Sequence, residues 1–123
     1  MANDKSIDAL DTRQKIEFSI SEIENLIEEL DDSAQMKANG SANYDKALAV
    51  AILKLKNGVI REFEGQKIEG LPATVLTSIA KGIIYKEAFD KEAGEALYKS
   101  LLTKIEARKA ILNGHQSISK IIS

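Results

Sequence analysis

Hydrophobic residues in the first third of the chain recur at the spacing of one helical face. Successive members are separated by alternating steps of four and three residues, as in a short coiled-coil seam. This stripe, which we call the isoleucine seam, consists of Ile16, Ile20, Ile23, Ile27 and Leu30. The pattern predicts a long helix over about residues 6–34, with the seam available for pairing with another subunit.

Turn-forming residues predict that this first helix stops well before residue 43. Asp31-Asp32-Ser33 interrupts the pattern, and Ala38-Asn39-Gly40-Ser41 has the composition of a loop. A second helix is expected over residues 43–56, because its apolar residues again share one face and short polar side chains can cap its first turn. Asn57-Gly58 is a strong helix stop.

Residues 59–69 permit two interpretations. Apolar and polar residues alternate up to Glu64, so Glu64-Gly65-Gln66 can form the turn of a small hairpin. An irregular loop is an equally good interpretation, because an isolated two-stranded hairpin is marginal unless it packs on helices. Pro72 suits the first turn of a short helix, which should end at Lys81-Gly82.

A second long helix is predicted from about Ile83 to Leu112. Its main stripe consists of Phe89, Ala93, Ala96, Leu97, Leu101, Ile105, Arg108 and Leu112. Within this stripe Phe89 is expected to lie in the core. Gly94 either weakens this helix or marks a close backbone crossing. Tyr85 and Tyr98 fit the core or an interface equally well. Asn113-Gly114 should end the helix and leave residues 116–123 as a tail.

These elements predict an all-α fold, with a long antiparallel helical hairpin or bundle, a short middle helix and a small β-hairpin at 59–69 if that segment forms strands. We expect one domain over 1–123, with an acidic helix and loop at 1–40 and a helical core at 41–115. A 29-residue helix is about 44 Å long, whereas a compact domain of this size measures only about 35 Å. Both long helices would overhang such a globule, so we expect a homo-oligomer.

Composition narrows the chemistry. The chain of 123 residues has no cysteine, which excludes disulfides, thiolate metal sites and a cysteine nucleophile. His115 is the only histidine, and nothing near it has metal-ligand spacing. The glycines form no phosphate loop, and carboxylate pairs such as Glu24 and Glu28 fall on polar faces. We therefore expect no enzyme, no cofactor and no metal site.

The N-terminus lacks the basic start and apolar centre of a signal peptide, and no stretch has the roughly 20 apolar residues of a spanning helix. We expect a cytoplasmic protein, or one in the host cytoplasm if a phage encodes it.

Charge is distributed unevenly along the chain. Residues 1–32 contain ten acidic and three basic residues, whereas five basic residues and one acidic residue follow from Lys99 onward. The acidic first helix and the basic last helix are expected to face each other, within one chain or between chains. A basic patch for phosphates, or plain solvated faces, are the other interpretations.

Part of the chain resembles a known family. The segments NYDKALAVAILKLKNG, IAKG and YKEAFDKEAGEALYKSLLTKIEARKAILNGHQSISK, within residues 43–120, resemble small helical, coiled-coil-like proteins of phages and prophages of Gram-positive bacteria. Such proteins are often encoded near genes for recombination or single-strand binding. The resemblance implies an accessory role in DNA metabolism and carries no catalytic residue. The chain departs from the pattern at Asn113-Gly114-His115, where relatives often continue as uninterrupted helix.

Three functional hypotheses follow, all non-enzymatic. The first is a phage accessory factor for recombination or replication, whose phosphate or partner contacts would be Lys99, Lys104, Arg108 and Lys109. The second is a structural or assembly protein of the virion. The third is an inhibitor that presents an acidic face to a host protein, formed by Glu22, Glu24, Glu28, Glu29, Asp31 and Asp32.

Overall fold

The computed structural model describes the backbone of residues 2–122 and the side chains of residues 8–122. Over this range it contains three helices and two short strands: α1 (Ala2–Lys56), β1 (Glu62–Phe63), β2 (Gln66–Lys67), α2 (Ala73–Ile83) and α3 (Tyr85–Ile122). The predicted all-α fold, with long paired helices, a short middle helix and a small β-hairpin, is confirmed.

The chain divides into two compact units. The first unit joins α1 up to Ser33 with α3 from Leu97 onward, and the second unit comprises Ala34–Ala96. We describe each unit by itself.

In the first unit, α1 and α3 run antiparallel. Arg108 Nη1 of α3 lies 2.9 Å from Glu22 Oε2 of α1. The buried hydrophobic residues described here are Ile23, Leu101 and Ile105, and they share the interior with the hydroxyl residues Thr12, Ser19 and Ser33. Ion pairs one turn apart, such as Lys15 with Asp11, lie on the exposed surface of α1 and support its helical conformation.

In the second unit, two glycines let the helix backbones approach closely. A Cβ atom added at Gly94 of α3 would lie 3.3 Å from the Cα of Lys37, and one added at Gly40 of α1 would lie 3.4 Å from the Cα of Lys91. Lys91 extends from this contact to place its Nζ 4.5 Å from the ring centroid of Tyr44. Of the two interpretations of Gly94, the close backbone crossing is therefore confirmed.

The core of the second unit lies where the end of α1, the hairpin and α2 meet, and it extends to Ile84 between α2 and α3. Its buried residues are Ala51, Leu55, Ile68, Ala80 and Ile84. Partly buried residues packed around them include Phe63 of the hairpin and Leu76 of α2. Because Ile68 follows β2 directly and lies in this core, the hairpin is packed on helices and is not isolated.

Local backbone signals explain the boundaries in this unit. Gly58 has a φ of 73°, and the amide of Val59 donates to the carbonyl of Lys54 at 2.9 Å, as in a Schellman C-cap. In the hairpin, Glu64 and Gly65 have φ angles of 52° and 75°, which is the signature of a type I′ turn. The predicted helix stop at Asn57-Gly58 and the hairpin interpretation are both confirmed.

Two predicted helix ends are wrong. α1 continues through Asp31-Asp32-Ser33 and Gly40, because Ser33 is buried with its hydroxyl donating to the Leu30 carbonyl at 2.9 Å and Gly40 packs against a helix backbone. α3 likewise continues through Asn113-Gly114 to Ile122. Leu112 and His115, on either side of that pair, are half-buried, and this burial outweighs the roughly 1 kcal/mol helix penalty of a glycine. The first helix of about 6–34 and the second of 43–56 are thus one helix, and the tail at 116–123 is helical as far as it is described.

Within the described residues, none of the helices has an apolar segment long enough to cross a membrane.

Candidate interaction surfaces

The four basic residues predicted to contact phosphates fall into two environments. Arg108 is half-buried and paired with Glu22, whereas Lys99 and Lys109 are exposed. Lys104 lines the same groove as Glu22 and Glu29. Two of the four basic residues, Lys104 and Arg108, therefore line a groove that acidic residues also line.

This charged groove runs along one side of the helix pair in the first unit. It encloses about 600 Å³ and is lined by Glu22, Asn25, Leu26, Glu29, Lys104, Ala107, Arg108 and Ile111. Glu22 Oε2 is buried and, although close to Arg108, is not aligned for a hydrogen bond. Because both side chains remain partly exposed, the pair contributes only about 0.5–1 kcal/mol. The charged groove balances its own charge, which leaves it a weak site for an external anion.

The remaining acidic residues of the predicted partner face, Glu24, Glu28, Asp31 and Asp32, are exposed on α1. Together with Glu29 they leave most of the predicted acidic face open to solvent, while Glu22 is drawn into the charged groove.

The isoleucine seam is divided between two environments. Ile23 is buried and Ile16 and Leu30 are half-buried, but Ile20 and Ile27 keep 41% and 43% of their surface exposed. The face of α1 with the greatest burial instead consists of Thr12, Ile16, Ser19, Ile23, Leu26, Leu30 and Ser33. Sequence reasoning missed this face because three of its members carry hydroxyl groups, although the four-three spacing was present.

A second apolar stripe lies on the outer side of α3 in the second unit. Tyr85 and Phe89 are 64% and 70% exposed, and Ala93 and Ala96 are exposed one and two turns further on. We call Tyr85, Phe89, Ala93 and Ala96 the outer aromatic row. The two aromatic residues, with Lys86 and Asp90, line a shallow depression of about 300 Å³.

The prediction that Phe89 lies in the core is therefore wrong. The buried face of α3 in this unit includes Gly94, and at 3.6 residues per turn Phe89, five residues earlier, lies about 140° from Gly94 around the helix. Ala93 and Ala96, which belong to the same predicted stripe, are also exposed. A glycine at the point of closest approach gives no hydrophobic signal, so the sequence pattern selected the wrong face. Tyr85 is exposed, whereas Tyr98 is half-buried.

The described side chains offer no group of three His, Asp or Glu residues arranged to hold a metal ion. His115 is half-buried on α3.

Comparison of the chain with models of protein families, with curated proteins and with solved structures finds no match. The functional argument therefore depends on the surfaces described above.

Proposed function

We propose that this chain is a non-enzymatic interaction protein that binds a protein partner through the outer aromatic row. Phe89 carries the proposal, because a phenylalanine that is 70% exposed on an ordered helix leaves apolar surface in water that a partner could cover. Aromatic residues are enriched in protein interfaces and often provide much of the binding energy.

The shape of the outer aromatic row favours a helical partner. Two large rings are followed by two alanines along the same side of α3, so a second helix could pack against the rings and approach closely over the alanines. The sequence resemblance supports a biological setting in phage or prophage DNA metabolism, where such a protein would act as an accessory factor.

Direct binding of DNA has weaker support. Arg108 and Lys104 lie in the charged groove with acidic residues, so only Lys99 and Lys109 of the predicted set remain for phosphate contact. We expect a labelled single-stranded oligonucleotide to bind weakly even at low salt, as measured by fluorescence anisotropy. Tight, steeply salt-dependent binding that Lys99→Glu with Lys109→Glu abolishes would instead favour the direct-DNA version.

The test of the protein-binding proposal is capture of partners from a lysate of a bacterium that carries the gene. The wild-type chain is compared with the double variant Tyr85→Ala/Phe89→Ala. Phe18→Ala is the matched control, because Phe18 is 63% exposed but lies in the first unit. We expect the wild type and the control to enrich the same protein and the double variant to lose it.

The identity of the captured protein separates the three hypotheses. A recombination or single-strand-binding protein supports the accessory factor, capsid or tail proteins support a virion role, and a basic host protein supports an inhibitor. A partner that the double variant retains would remove the outer aromatic row from the proposal.

A further inference from the structure

The first unit leaves much of its apolar surface uncovered. Only Ile23, Leu101 and Ile105 are buried among its described hydrophobic residues. Large hydrophobic residues that remain exposed there are Leu10, Phe18, Ile20, Ile27, Leu97, Leu102, Ile111, Ile118 and Ile121. Two helices joined by so small a core are marginally stable alone, so this unit would gain from further apolar burial.

Three of these residues share one side of the helix pair. On α1, Ile20 lies two residues, or about 200°, from Glu22 of the charged groove, and Ile27 lies one heptad further on. On α3, Leu102 likewise lies two residues, or about 200°, from Lys104 of the charged groove. Ile20, Ile27 and Leu102 therefore lie on the side opposite the charged groove, which we call the open apolar side.

Opposite charges border the open apolar side. Glu24 and Asp31 each lie about 40° beyond the isoleucines on α1. On α3, Lys99 and Glu106 lie about 60° and 40° beyond Leu102, and Lys109 lies in line with Leu102 one heptad further on. All five charged side chains are exposed. The α1 edge of this side is thus acidic, whereas the α3 edge carries two lysines and one glutamate.

We propose that a second copy of this chain covers the open apolar side. The two copies would be related by a two-fold axis along the helices, with α1 of each lying over α3 of the other in a four-helix bundle. This arrangement places the acidic α1 edge of one copy against the α3 edge of the other, which carries Lys99 and Lys109. Placing α1 over α1 would oppose like charges, which is unfavourable at an interface.

The heights of the charged residues along the helices fit this arrangement. Glu22 and Arg108 are in contact and mark one level. Asp31 lies nine residues after Glu22 on α1, and Lys99 lies nine residues before Arg108 on α3. Because the helices are antiparallel, Asp31 and Lys99 lie at a common level. Asp31 of one copy can thus reach Lys99 of the second copy. By the same rule Glu24 is level with Glu106, so the favourable contact between charges is the one between Asp31 and Lys99.

Sedimentation equilibrium of the full chain tests this proposal. We expect the wild type to have twice the chain mass of 13.5 kDa, and Ile20→Glu/Ile27→Glu to sediment as a monomer. The matched control is Ile111→Glu/Ile118→Glu, because these isoleucines are similarly exposed, Ile111 lines the charged groove, and Ile118 lies one heptad further along the same side of α3. The control should remain dimeric, and circular dichroism should show that both variants keep their helices. A monomeric wild type, or dissociation of the control alone, would overturn the proposal.

A charge exchange gives a second test that does not depend on the apolar substitutions. Asp31→Lys and Lys99→Asp each place like charges across the interface, so each variant alone should dimerise about tenfold more weakly than the wild type. An equimolar mixture should recover dimer, because both contacts of the mixed dimer again join opposite charges. Recovery of this kind reports a contact between copies. A mixture that dimerises no better than its components would rule out α1 over α3.

Discussion

Gly94 and Gly114 lie in the same helix but in opposite environments. A Cβ at Gly94 would meet the Lys37 backbone at 3.3 Å, whereas nothing lies within 4 Å of one at Gly114. Alanine gains about 1 kcal/mol over glycine in a helix interior, and overpacking against a backbone costs about 1–3 kcal/mol. The first effect should dominate at Gly114 and the second at Gly94.

We therefore predict opposite signs for two identical substitutions. Gly114→Ala should raise the free energy of unfolding by up to about 1 kcal/mol, and Gly94→Ala should lower it by about 1 kcal/mol. Urea denaturation followed by circular dichroism measures both. Stabilisation by Gly94→Ala would mean that the helices can separate at this point without loss.

The turn of the hairpin permits a stabilising substitution. Glu64 has a φ of 52°, a conformation that asparagine tolerates better than glutamate, and Asn-Gly is a preferred type I′ turn. Glu64→Asn should stabilise the chain by about 0.5–1 kcal/mol in thermal unfolding. Glu62→Asn is the control, because Glu62 lies in β1 without a positive φ; equal stabilisation by the control would contradict this explanation.

At the scale of elements, the sequence predicts a helix end correctly where the local residues are compatible with only one structure. Asn57-Gly58 ends α1 as predicted. The alternation before Gly65 permitted a loop as well as a hairpin, and the burial of Ile68 in the core favours the hairpin. Small residues suit both loops and close helix packing. Ser33 and Gly40 were interpreted as breaks and Gly94 as either a weak point or a close crossing, and each lies where α1 or α3 is buried or closely packed. Whether a small residue lies in a loop or at a close helix contact depends on where the other long helix packs. The local sequence pattern does not give that position.

The hairpin contacts α2 through the ring of Phe63. A Cβ at Gly82 would lie 2.9 Å from Phe63 Cζ, so the ring packs directly over the glycine. Phe63→Ala should destabilise the chain by about 2–3 kcal/mol, somewhat less than a fully buried phenylalanine, and should speed hydrogen exchange over residues 60–69. The exposed Phe18→Ala should do neither. Unchanged exchange in the hairpin of Phe63→Ala would show that Ile68 alone holds it.

At the scale of the whole molecule, the two units have different sources of stability. The second unit packs residues of α1, the hairpin and α2, with Ile68 and Ile84 from the connecting segments, around one core. The first unit is a helix pair with hydroxyl residues in its interior, and under the dimer proposal part of its stability comes from association. Binding of a second copy directly stabilises the unit that it contacts. The increase in the free energy of unfolding of that unit depends on the protein concentration.

This difference predicts that dilution acts on one unit alone. As the chain is diluted below its dimerisation constant, amide hydrogen exchange should speed up in residues 8–33 and 97–122 and stay constant in 44–84. Mass spectrometry of exchanged peptides measures both regions in one sample. Ile20→Glu/Ile27→Glu should show fast exchange in the first unit at every concentration, because that variant cannot associate. Because the second unit has its own core, its exchange should not depend on association. Exchange that accelerates equally in both units on dilution would contradict this prediction.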